Sequence, residues 1–144
     1  MRRALMVMTL LGAAVWPTQV RAQDAEMESA LQSFLAAWQS DDADNLEAAL
    51  VGSGVSLSMG NESHGPVRPR QAAAALRQYM ADRSPGEFNV HRVSSAGGEP
   101  ERGFAEVAWN TVVRGTTEPV GYTVFVGMER SSAGWAVQEV RILE

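Results

Sequence analysis

Four runs of alternating apolar and polar residues fill the chain from Glu87 to its end, and they restrict the fold more than anything else in the sequence. The runs cover 87–95, 102–114, 119–130 and 134–143, and the connections at 96–101, 115–118 and 131–133 are short enough for antiparallel hairpins. In the second run Phe104, Glu106, Ala108, Asn110 and Val112 share one face, while Ala105, Val107, Trp109, Thr111 and Val113 share the other. The third run splits the same way, with Tyr122, Val124 and Val126 opposite Thr123, Phe125 and Gly127. Both faces therefore carry large apolar groups, whereas a sheet wetted on one side shows a polar face. This pattern predicts a strongly curved sheet with helices over one face and a partner or covering segment over part of the other.

Three helices precede these strands. Met27, Ala30, Leu31, Phe34, Leu35 and Trp38 recur at i, i+3, i+4, i+7, i+8 and i+11, one apolar stripe, with Asp24 placed to cap it. The polar segment 40–44 interrupts that stripe. A short second helix is expected over 43–51, with Leu46, Ala49 and Leu50 inward and Gly52 and Gly54 ending it. Val55-Ser56-Leu57-Ser58-Met59 alternates as a strand, 60–65 reads as a polar turn, and Pro66-Val67 as a brief edge return. Pro69 suits the first turn of a third helix, whose apolar face is Ala72, Ala73, Leu76, Tyr79 and Met80. Ser84-Pro85-Gly86 closes it.

Arg2 and Arg3, the apolar run 4–16, the break at Pro17 and the small-residue end Val20-Arg21-Ala22 form the three parts of a secretory signal. A run of thirteen residues, broken only by Thr9 and Gly12, falls short of the roughly 20 that span a membrane, so cleavage between Ala22 and Gln23 is expected, releasing the protein to a periplasm or the exterior. One domain, residues 23–144, remains. Without cysteine it forms no disulfide and bears no lipid-modified N-terminal Cys. Loss of Arg2, Arg3 and Arg21 leaves nine basic residues, all arginine, against 17 acidic ones, a net charge of −8. Such a balance disfavours nucleic acid and anionic membrane surfaces as partners.

Helix, helix, strand and short return, helix, then four long antiparallel strands resembles the nuclear transport factor 2-like superfamily from about Asp24 to Glu144. Phe88-Asn89-Val90-His91 and the closing Trp135-Ala136-Val137-Gln138-Glu139-Val140-Arg141-Ile142 are similar to small exported bacterial domains of unknown function. The resemblance implies an α+β fold: N-terminal helices packed on a strongly curved, mainly antiparallel sheet, a cone with a pocket at its open end. A cystatin-like helix wrapped by a sheet is the alternative architecture, and it leaves the second and third helices without a clear role. Members of the superfamily include isomerases, dehydratases and epoxide hydrolases as well as domains without known catalysis, so the fold alone does not carry an activity.

Enzymes of this fold place an Asp, His or Tyr inside the cone, which makes Glu106, His91, Tyr79 and Tyr122 the residues to weigh. Glu106 is expected on the outer face near Arg114 or Arg130, and His91 as a hydrogen-bonded structural residue. No Ser-His-Asp order, phosphate-cradling glycine loop or HExxH occurs. Glu62 and His64 offer two metal ligands without a third, so neither metal nor cofactor is expected. Phe34, Trp38, Tyr79, Phe88, His91, Trp109 and Tyr122 are the candidates to line a pocket for a small ligand. His64, Arg68 and Arg70, around the start of the third helix, form a weaker candidate for an anion, which a helix N-terminus favours. The sequence thus points to an exported non-catalytic domain that binds a small apolar or amphipathic ligand or serves as an assembly module. An isomerase- or hydratase-type enzyme and a protein-interaction module using the exposed sheet are the alternatives. A homodimer through the outer sheet face is the expected partner arrangement.

Overall fold

The helices and most of the strands form where the apolar pattern can be buried on one side. The computed structural model describes residues 18–144, with side chains from Asp24 onward; most of the expected signal peptide lies outside the described residues. Helix α1 (Thr18–Gln39) buries Met27, Leu31, Phe34, Leu35 and Trp38, the predicted stripe. It starts earlier than expected. Nothing between Thr18 and Asp24 is glycine or proline, so Asp24 lies within the helix instead of capping it, and the helix runs across the Ala22–Gln23 bond.

Helix α2 (Ala43–Ala48) is capped by Asp42, whose carboxylate accepts the Asn45 N–H at 3.2 Å. It stops short of residue 51 because the chain turns there to meet the sheet: Val137 N donates to Ala49 O and Val51 N donates to Val137 O, both at 2.8 Å. Strand β1 (Val55–Met59) falls where expected, but most of the expected turn after it is strand β2 (Glu62–Val67). Only Gly60, at φ 61°, and Asn61 connect them, since Met59 pairs with Glu62. Five of the six β2 residues are exposed, so no apolar alternation marks this edge strand in the sequence. Helix α3 (Pro69–Ala81) begins at the predicted proline and buries Ala72, Ala73, Leu76 and Met80.

Strands β3 (Glu87–Gly97), β4 (Arg102–Val112), β5 (Pro119–Ser131) and β6 (Gly134–Leu143) form a meander. The sheet order is β2-β1-β6-β5-β4-β3; β1 and β6 run parallel and every other neighbour pair is antiparallel. The parallel pair joins strands far apart in sequence, as a parallel contact requires. Shifts of register between Val90 and Arg92 in β3, and around Gln138 in β6, bend the sheet and re-aim side chains. The result is an α+β cone, with helices against the inner face carrying Ala105, Val107, Trp109 and Thr111.

The segment after α3 is bound to the end of β4. Ser84 N donates to Val112 O at 2.8 Å, Arg114 N to Asp82 O at 3.1 Å, and the Thr111 hydroxyl to Ser84 O. Gly86 (φ 65°) sits so close that a Cβ there would strike the Asn110 carbonyl. Only glycine serves at this crossing.

Candidate functional site

The stripe of α1, the end of α3 and the inner faces of β3, β4 and β5 deliver their aromatic rings to one place. Trp38 lies 5.9 Å from Phe34, 5.4 Å from Phe88 and 5.5 Å from Trp109, centroid to centroid. Trp109 in turn meets Phe88 at 5.7 Å, Tyr122 at 5.1 Å and Tyr79 at 6.1 Å. Pairs at these separations contribute about 0.5–1.5 kcal/mol each beyond area burial. Both indole N–H groups are used: Trp38 donates to Leu76 O at 2.8 Å and Trp109 to Pro85 O at 2.9 Å. Six of the seven pocket candidates are thus brought together, and they meet one another. Phe34, Trp38, Trp109 and Tyr122 are buried, while Tyr79 and Phe88 are partly so.

At the Tyr79–Tyr122 end, Arg83 holds this column. Its Nε donates to the Tyr122 hydroxyl at 2.9 Å and its Nη1 to Tyr79 O at 2.8 Å, with the guanidinium 4.0 Å from the Tyr79 ring centroid. A cation over an aromatic face is attracted by the ring quadrupole. Burial pushes the Tyr79 phenol above its ordinary value; nearby Arg83 partly opposes this, and Tyr122 and Glu144 add to it. Arg83 was missed from sequence. Its place four residues after Tyr79, just beyond the end of α3, was the available signal.

Tyr79 also lines an open groove of about 390 Å³ with Met59, Glu62, His64, Gln78 and Asp82. This groove is the place where a phenol, an imidazole and carboxylates stand together. His64 is 3.8 Å from Glu62, and both are exposed. The three anion candidates do not converge on it: His64 belongs to β2, while Arg68 and Arg70 stand exposed at the start of α3, outside this groove. Glu62 supplies the neighbouring negative charge to His64 instead.

His91 stands apart from the other pocket candidates. It is the extra residue of the β3 register shift, and its side chain is exposed. Glu106 is half-buried on the outer face, between Arg92 of β3 and Phe125 of β5, so Arg92, not Arg114 or Arg130, is its cross-strand neighbour. Among the described residues, Thr111 is the single buried polar side chain. The inner cone therefore holds no buried carboxylate or imidazole among them, the groups that general acid–base chemistry draws on.

The outer face presents a second feature. Phe104 pairs with Gly127, Phe125 with Glu106 and Arg141, and Leu143 with Thr123, so the three apolar residues form a diagonal across β4, β5 and β6. Their exposures are 52%, 38% and 43%, the large apolar side chains left open among the described residues. Arg92, Glu106, Glu139 and Arg141 flank the diagonal with both signs of charge.

No family model and no curated protein matches the chain. Solved structures do. A DUF4783 family protein from Bacteroides uniformis is 18% identical, with 78% of this chain and 94% of that one covered and a TM-score of 0.60. A Mycobacterium tuberculosis LEH-like epoxide hydrolase is 22% identical over 82% of this chain and 81% of its own, at 0.58. A Streptomyces avermitilis protein of the nuclear transport factor 2-like family, proposed to be a dehydratase, is 13% identical over 85% and 96%, at 0.65. At these identities the shared property is the fold. The chain has the nuclear transport factor 2-like α+β cone, and its structural neighbours include both domains of unknown function and enzymes.

Proposed function

We propose that this protein is an exported, non-catalytic assembly domain that pairs with a second copy of itself through the outer face of its sheet. The observation that carries this reading is the contrast between the two faces. Inside, the rings that could have lined a ligand cavity stack on one another; outside, Phe104, Phe125 and Leu143 stand open along one diagonal. Contiguous apolar patches on soluble chains mark interaction surfaces. A two-fold pairing buries the same patch on both copies. With the axis along β5, β4 of one copy lies over β6 of the other, which sets Glu106 against Arg141. Opposite charges around an apolar centre support a second copy as the occupant.

Export belongs to the same reading. It rests on the arginine start, the short apolar run and the small residues ending at Ala22, and no described helix is long and apolar enough to cross a membrane. Phe125→Glu tests the pairing, because it sets a carboxylate at the centre of the diagonal. The variant is expected to keep the wild-type circular dichroism and to run as a monomer by light scattering, where the wild type runs as a dimer. Equal masses for the two proteins would contradict the reading.

A hydratase- or isomerase-type activity has one footing, the groove where Tyr79 meets His64, Glu62 and Asp82. The aligned exposure of His64 and Glu62 leaves that groove wet, which favours the assembly reading over it.

A further inference from the structure

The outer face is not evenly filled along β5. Phe125 stands out from it, whereas the next position on the same face, Gly127, contributes no side chain. A hollow of about 190 Å³ lies over that gap, walled by Phe104 on the β4 side and Glu139 on the β6 side, with Arg102, Gln138 and Ser56 at its rim. Gly127 is buried between these walls, yet its φ is not in the left-handed region that favours glycine. A Cβ there would meet the Glu139 Cβ at 3.2 Å, a contact that a shift of a few tenths of an ångström relieves. Neither the backbone conformation nor a backbone contact therefore demands glycine at 127.

The lining defines what fits. Arg102 and Glu139 carry opposite charges, so the hollow favours neither sign, and its broad wall is an aromatic ring. Phe104, Gly127 and Glu139 form one row across β4, β5 and β6. Turning that row about an axis along β5 brings the partner's Phe104 above Glu139, at the mouth of the hollow. Side chains on the facing surfaces of two packed sheets interdigitate. Taking the outer-face pairing as given, we propose that the Phe104 ring of each copy enters the other's hollow over Gly127. This reciprocal contact fixes the register of the two sheets and restricts the partner to a second copy of the chain. One face carries both the ring and the space for it, as a two-fold interface requires.

A shaped hollow and a featureless apolar patch make opposite predictions for Gly127→Ala and Gly127→Val. Both substitutions add apolar surface to the outer face, so a featureless patch would associate as well as before or better. With the hollow occupied by a ring, filling it weakens the dimer by about five- to a hundredfold, more for valine than for alanine. Phe104→Ala should weaken it by at least about tenfold. Gly127→Val should cost little further once residue 104 is alanine, because the two changes disturb one contact. Dissociation constants are read by sedimentation velocity over a dilution series of the purified protein, with circular dichroism as the check on folding. Should Gly127→Val lose its fold, Gly127→Ala and Phe104→Ala still decide. Wild-type or tighter association of the Gly127 variants overturns the hollow, as do fully additive losses in the double variant. If Phe125→Glu still abolishes the dimer in that case, the outer-face pairing survives without it. A wild type of one-chain mass at every concentration overturns both.

Discussion

Leu76→Ala probes the joint between helix and sheet on which the whole interior depends. Leu76 is fully buried, and its carbonyl accepts the Trp38 indole N–H, so the Trp38 ring rests against this turn of α3. The substitution keeps that hydrogen bond, because the acceptor is backbone, and deletes only the side chain. Removing three buried carbon groups at about 0.8 kcal/mol each gives roughly 2.4 kcal/mol of lost transfer free energy. Rigid stacked rings on the α1 side collapse poorly into the hole, and residual cavities raise such losses into a range of about 2–5 kcal/mol. The expected loss is therefore about 3–4 kcal/mol. In a urea titration with a slope of about 1.5 kcal/mol/M, the midpoint should fall by roughly 2 M with the slope unchanged. A loss below about 0.5 kcal/mol would refute the packing argument, since it would mean that this face of α3 is not held against the sheet.

The raised phenol pKa of Tyr79 predicts an alkaline limb in stability. A group whose folded pKa lies above its unfolded value stabilises fully below the ordinary value of 10.0 and loses that contribution as pH rises through the folded pKa. Thermal melts above pH 10 should fall less steeply for Tyr79→Phe than for wild type, and parallel curves would contradict the burial. Export is expected to remove residues 1–22, so N-terminal sequencing of the exported protein should begin at Gln23; full-length chain in the membrane fraction would contradict this.

The long strands were legible because alternation divides each into two faces; of the two apolar faces, the one with Ala105, Val107 and Trp109 is inward. The first part of strand β2, before the expected return at Pro66-Val67, was hidden for the opposite reason. Its residues from Glu62 to Gly65 are exposed, and hydrogen bonding to β1 makes them a strand. The start of α1 was misplaced because Asp24 is an adequate cap in isolation, while the uninterrupted residues before it let the helix continue. At the site, the sequence identified the aromatic residues but not how much space they leave. Whether Trp38, Trp109 and Tyr122 line a void or fill it depends on the distance between α1, α3 and the sheet, which no local pattern encodes. The placement of His91 turned on one extra residue in β3, and a bulge leaves no mark in composition. The buried Trp135 indole N–H, unpaired among the described residues, was equally invisible, since the acceptors within its reach are a matter of tertiary contact.

The central claim, pairing through the outer face, is tested most directly by sedimentation equilibrium of the purified protein at tens of micromolar. The exposed diagonal of Phe104, Phe125 and Leu143, ringed by Arg92, Glu106, Glu139 and Arg141, predicts a species of twice the one-chain mass. Moderate salt should weaken the association without abolishing it, because the apolar centre is insensitive to screening while the flanking charges are not. A single species at the mass of one chain across the concentration range would contradict the account.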